Sequence, residues 1–139
     1  MYDIMSLGVY FDKTKVINGM TLSLPMVQRE PRLNFIQSAK QYTILMIDPD
    51  APSRNNPIHK YWLHWLIVNN DKTIADYEPP TPPKGSGPHR YFILLLEQTI
   101  KFSPNEIGPI IQRNNFDVPE FIHKHHLKLI ASIYFVSEN

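Results

Sequence analysis

The chain of 139 residues contains no cysteine, which removes disulfide staples, thiolate metal sites and cysteine nucleophiles together. That absence fits a reducing compartment, and a cytoplasmic location is the expectation. An excess of one charge sign is also lacking: 14 Lys and Arg face 13 Asp and Glu, a formal net charge of +1 with His neutral. This balance excludes a nucleic-acid binder driven by bulk charge. No stretch approaches the ~18 apolar residues of a membrane span, and MYDIMSLGVYFDKTK has no basic segment leading into an apolar one. Neither a transmembrane segment nor an export leader is expected. Glycine is scarce, with 5 residues beside 13 prolines. Proline is costly inside helices and central strands, so much of the chain must be rigid, irregular loop.

What is present suffices for a core. Hydrophobic residues make up 42% of the chain, and the length suits a single domain over residues 1–139. Short runs read as strands: SLGVYF, then KVINGMTLSL turning at Asn18-Gly19, PRLNFI, QYTILMID, KYWLHWLIVNN, RYFILLLEQ and LIASIYFVSEN. In KYWLHWLIVNN, alternation places Trp62, His64, Leu66 and Val68 on one side and Leu63, Trp65 and Ile67 on the other. A strand apolar on both faces belongs in the middle of a sandwich. The Ser-Pro start of SPNEIGPIIQRNNF predicts one or two helical turns, and VPEFIHKHHL a short helix with Phe121, His125 and Lys128 roughly on one face. The expected fold is all-β, an antiparallel sandwich of two sheets with one or two short helices.

Two loops carry the polar residues suited to chemistry. DPDAPSRNNP offers Asp48, Asp50 and Arg54, and DYEPPTPPKGSGPH with its following residue offers Lys84, Ser86, His89 and Arg90. His64 lies mid-strand between Leu63 and Trp65, where a buried imidazole needs a partner; Asp48 or Asp50 is a candidate. Simpler roles compete. Both aspartates sit beside prolines, as residues capping a turn do. His64 on an apolar strand is also compatible with a satisfied core histidine, and Arg90 at a strand edge with pairing to a carboxylate. Asp48, Asp50, His64 and His89 contain the elements of a zinc set, but no HExxH-like spacing fixes two ligands on one helix face. The histidines of HKHH, at 123, 125 and 126, read as a solvated surface. No metal and no cofactor is expected.

TILMIDPDAPSR, YWLHWLIVNN and PPKGSGPHRYFILLLEQ, in this order and spacing, resemble the phosphatidylethanolamine-binding protein family, which includes the Raf kinase inhibitor proteins and plant flowering-time regulators. DPDAP with a downstream GxHRY is the specific part, and weaker agreement covers nearly the whole chain. The resemblance implies a β-sandwich with a small anion pocket that accepts phosphate-like groups, including a phosphorylethanolamine lipid head. Carried over by position, Asp48, Asp50 and Pro52 form one wall, His64 another, and Pro83, Gly87, His89 and Tyr91 the rest. In that reading prolines shape the loops, Gly87 permits close backbone approach, both histidines donate to phosphate oxygens, and an aspartate holds one ring by its other nitrogen. Two departures stand out. Leu63 replaces the first of two adjacent histidines common in the family, and the sequence ends at Asn139, short of a C-terminal helix that borders the pocket in typical animal members. A more open pocket is the consequence expected.

Three functions follow. The first is a non-catalytic binding protein for phosphate-bearing small molecules, phospholipid head groups or phosphorylated residues, modulating a partner such as a protein kinase. The second is a serine protease inhibitor or scaffold working through surface loops. A metal-dependent hydrolase is the third; Ser53 and Ser86 lack a recognisable base arrangement, which argues against an enzyme of the nucleophilic kind. If an aspartate-held histidine must be protonated to bind an anion, affinity should fall in alkaline solution.

Overall fold

The computed structural model describes residues 7–35 and 38–139. Eight strands, one α-helix and one 3-10 turn occur among them. In chain order these are β1 (Leu7–Phe11), β2 (Thr14–Lys15), the 3-10 turn Leu24–Val27, β3 (Arg32–Phe35), β4 (Gln41–Asp48), β5 (Trp62–Val68), β6 (Lys72–Ala75), β7 (His89–Gln98), α1 (Val118–Lys124) and β8 (Lys128–Ser137). Two antiparallel sheets form, ordered β2-β1-β3 and β6-β5-β4-β7-β8, so the expected all-β architecture holds. Ser6 of SLGVYF and Ile36 of PRLNFI lie outside the described residues.

The large sheet is covered on both faces. One face, with Ile44, Met46, Trp65, Tyr91, Ile93 and Phe135, packs against Val9, Phe11, Val16 and Val27 of the small-sheet half. The other, with Leu45, Leu63, Leu66, Leu94 and Leu96, lies under Phe102, Ile107 and the buried face of α1. β4, paired on both edges, is buried at every residue after Gln41, and its unbroken apolar run reflects that.

Local details depart from the sequence reading. KVINGMTLSL is not a strand: the β1–β2 hairpin turns earlier, with Asp12 at φ 54°, and the Asn18-Gly19 turn docks on β8 through Gly19 N–H to Tyr134 O (2.7 Å) and Tyr134 N–H to Asn18 Oδ1 (3.0 Å). SPNEIGPIIQRNNF forms turns and extended backbone with no helix, since its prolines remove donors and Gly108 adds freedom. α1 forms where expected, capped by Asp117 Oδ1 accepting from Glu120 N–H at 3.0 Å, worth about 1 kcal/mol. It stops at Lys124, so Lys128 lies on β8 and shares no helix face with Phe121.

One irregularity positions the site. β5 pairs with β4 as Met46 with Trp65 but Ile47 with Leu63, which leaves His64 as the extra residue of a β-bulge. The bulge breaks the alternation. Leu63, Leu66 and Val68 share one face, whereas Trp65 joins the inter-sheet face and the His64 ring meets Tyr91 edge-on at 5.3 Å.

Candidate functional site

Antiparallel pairing brings the end of β4, the start of β5 and the start of β7 to one end of the large sheet. There, a cavity of about 240 Å³ is lined by Asp48, Ala51, Pro52, His59, Trp62, His64, Thr81, Pro82, Pro83, His89 and Tyr91. The structure thus brings together six of the eight residues anticipated: Asp48, Pro52, His64, Pro83, His89 and Tyr91. Asp50 and Gly87 stand outside the lining.

Asp48 and Asp50 divide the work expected of them. Asp48 Oδ1 accepts from Asp50 N–H at 2.6 Å, the turn-capping role, while Oδ2 faces His89 Nδ1 at 2.8 Å, the ring-holding role. Both side chains are buried, at 4% and 1% exposure, so each needs the other. Asp50 faces away from the cavity and grips Arg90: Oδ2 accepts from the Arg90 N–H (2.8 Å) and Nε (3.0 Å), and Oδ1 from Nη2 (2.9 Å). Burial pushes the Asp50 carboxyl up, but these hydrogen bonds and the guanidinium charge outweigh it and hold it below the ordinary 3.8. Arg90 therefore pairs with a carboxylate, as its strand-edge position suggested. Asp50 is a clamp between the two loops, not a wall of the cavity.

The far side of the His89 ring closes a second link. His89 Nε2 lies 2.9 Å from Ser86 Oγ, and that hydroxyl donates to Pro83 O at 2.6 Å. With the Ser86 proton on Pro83 O, the hydroxyl oxygen is left to accept from His89 Nε2. The second loop is held by its own backbone. Ser86 N–H donates to Pro83 O (3.0 Å) and Gly85 N–H to Asn139 O (3.4 Å), so both amides have partners within the protein. Gly87 has φ +85° with open space where a Cβ would lie, so glycine is needed there for its left-handed backbone.

His64 is held differently. Its partner is neither aspartate: Nδ1 donates to the carbonyl of Glu78 at 2.6 Å. Burial lowers its pKa below the ordinary 6.5, against the opposing pull of the Glu78 carbonyl and the Asp48 charge. The neutral ring has its proton on Nδ1, leaving Nε2 as an acceptor. Residues that the sequence did not flag hold this wall. Arg113 donates through Nη1 to Leu63 O (3.0 Å) and His64 O (3.2 Å) and through Nη2 to Asp76 O (2.8 Å), with Nε 3.4 Å from Glu78 Oε2. Glu78 Oε1 in turn accepts from the indole N–H of Trp62 at 2.8 Å. No spacing in RNNF signals this, because residue 113 meets residue 64 only after folding.

Tyr91 forms the floor, 1% exposed and stacked between His89 (6.2 Å, 14°) and Phe135 (5.3 Å, 23°). Burial pushes its hydroxyl pKa up, so it stays a proton donor. Among the described residues every fully enclosed side-chain nitrogen or oxygen has a partner, yet the Tyr91 hydroxyl and His64 Nε2 have none. Both therefore open into the cavity. Among the described residues no cluster of three His, Cys, Asp or Glu has metal-holding geometry, and no helix is long and apolar enough to cross a membrane.

The model of the phosphatidylethanolamine-binding protein family matches residues 12–73 and 68–135. The chain belongs to this family. It is 45% identical over 134 residues to a phosphatidylethanolamine-binding protein homolog of Acanthamoeba polyphaga mimivirus, covering 91% of this chain and 93% of the relative. It is 36% identical over 134 residues to a candidate odorant-binding protein, A5, of Drosophila melanogaster, covering 87% of this chain and spanning 64% of the fly protein. Among solved structures it is similar to a carboxypeptidase Y inhibitor complexed with its cognate proteinase, with TM-score 0.87, 26% identity, and 96% and 82% of the two chains covered. Family membership makes a binding protein the coarse functional class.

Proposed function

We propose that the cavity grips one phosphate-like group without cleaving it, so that the chain is a non-catalytic binding protein for phosphate-bearing small molecules or phospholipid head groups. One observation carries this reading: two unpartnered polar atoms on buried residues, the Tyr91 hydroxyl and His64 Nε2, open into a cavity whose third polar wall is the Asp48–His89 pair. The hydroxyl donates to a phosphate oxygen as it stands. His64 donates only after Nε2 takes a proton, which an incoming anion favours electrostatically. His89 Nε2 reaches the ligand by exchanging the Ser86 hydroxyl for a phosphate oxygen. A carboxylate at Asp48 suits a bound cationic ammonium as well as the ring it holds. A signalling partner such as a protein kinase would then read the filled or empty state of the pocket mouth.

The test is titration with phosphorylethanolamine followed by NMR. Shifts at His64, His89 and Tyr91, lost in His64→Ala and His89→Ala variants that still fold, are expected; a flat titration in wild type ends the proposal. A second reading, protease inhibition through residues 76–88, draws on the likeness to carboxypeptidase Y inhibitor. In that case substitutions on the exposed loop surface would abolish inhibition while His64→Ala leaves it intact.

A further inference from the structure

A third imidazole lines the cavity without a task so far. His59 is fixed by its backbone: its N–H donates to Ala51 O at 2.9 Å and its carbonyl accepts from Asn115 N–H at 3.1 Å, which pins the residue between the first loop and the segment before α1. Its ring is half-buried, meets Trp62 edge-on at 6.4 Å and has no hydrogen-bond partner among the described residues, so its nitrogens reach open space at the cavity. The nearby acids do not claim it. Asp48 is taken by His89 and the Asp50 N–H, Glu78 by Trp62 and Arg113, and neither Asp50 nor Asp76 lines the cavity. Arg54 and Lys60, on the same loop, are exposed and do not line it either. A neutral imidazole carries one N–H, so His59 donates without first taking a proton, unlike His64. Donors thus stand on three walls: the Tyr91 hydroxyl on β7, His64 Nε2 on β5 and the His59 ring on the first loop. A phosphate monoester offers three unsubstituted oxygens, one for each wall. A diester offers two and turns a carbon arm toward the third. The cavity, about 240 Å³, leaves room for little beyond a phosphate and a short substituent. Resting on the phosphate-pocket reading above, we infer that His59 is a third contact for the bound phosphate and that the pocket prefers small-molecule phosphate monoesters to diesters.

Methyl phosphate and dimethyl phosphate are the probes, read by NMR and calorimetry. In wild type, methyl phosphate should move the His59 ring resonances together with those of His64, His89 and Tyr91, and bind more tightly than dimethyl phosphate. His59→Ala should weaken methyl phosphate about tenfold, as loss of a hydrogen bond to a charged group does, and leave dimethyl phosphate within about twofold of wild type. A preference due to ester charge alone would survive that substitution unchanged, so its narrowing is the signature of the contact. His59→Gln keeps an N–H donor and should recover most of the loss, which separates a contact from support of the loop. Three results would overturn the inference and leave the pocket reading standing: methyl phosphate bound by His59→Ala as by wild type, equal loss of both esters, or a His59 ring unmoved by methyl phosphate while His64, His89 and Tyr91 shift. Should neither ester move those three residues, the pocket reading falls and the inference with it. The wild-type shifts decide the matter even where a His59 variant fails to fold.

Discussion

The two imidazoles of the cavity are held in opposite ways. His89 faces a carboxylate on one side and a hydroxyl on the other, so its neighbours supply charge; His64 gives its single proton to a backbone carbonyl and meets Tyr91 edge-on at the β5 bulge. The first wall is electrostatic and preset. The second is desolvated and becomes a donor only by gaining a proton. The difference teaches that two histidines on one pocket need not bind as equivalents, because each answers to what its other nitrogen touches.

The sharpest way to break the comparison is to remove the charge of the first wall. Asp48→Ala strands a buried imidazole and the Asp50 N–H, and should cost about 3 kcal/mol or more in denaturant unfolding. A cost under about 1 kcal/mol would mean that the pair contributes little. Next in size is binding: His64→Ala should weaken phosphorylethanolamine by about 10- to 100-fold, as loss of a hydrogen bond to a charged group does, measurable by calorimetry on the folded variant.

Acidity separates the walls further. The folded pKa of His64 lies below the ordinary 6.5, so the proton needed for anion binding arrives only in acid: affinity should rise as pH falls below 6.5 and be flattened in His64→Gln. Stability runs the opposite way with pH. His64 contributes fully above 6.5, and its contribution is lost as pH falls through the lower folded value. An affinity that rises toward alkaline pH would refute this. Arg113→Ala should sharpen the contrast from outside the cavity. It removes a cation that disfavours the imidazolium, so the His64 resonance should titrate at higher pH than in wild type. The smallest effect belongs to the loop. Gly87→Ala should destabilise by about 1 kcal/mol through its φ of +85° alone, with no steric clash to add.

Much of the site was legible in the chain. DPDAP and GPHRY marked both loops, and the residues Asp48, Pro52, Pro83, His89 and Tyr91 converge because apolar strands β4 and β7 are neighbours. Trp62 and His59, read as core or passed over, line the cavity as well, since a residue at a loop mouth looks like core in one dimension. Asp50 and Gly87 carried the same signal as their neighbours and point elsewhere.

Composition and periodicity alone determined an all-β sandwich, the proline-built loops and the lack of any thiol or bulk-charge chemistry, because these depend on propensity and on which residues exist. The partner of each polar group was decided only in three dimensions. A one-residue bulge turned His64 toward Tyr91, a carbonyl 14 residues on took its proton, and Arg113 crossed from a strap 49 residues away to fix that wall. Hydrogen bonds form between groups that packing brings within about 3 Å, and no local pattern encodes that distance.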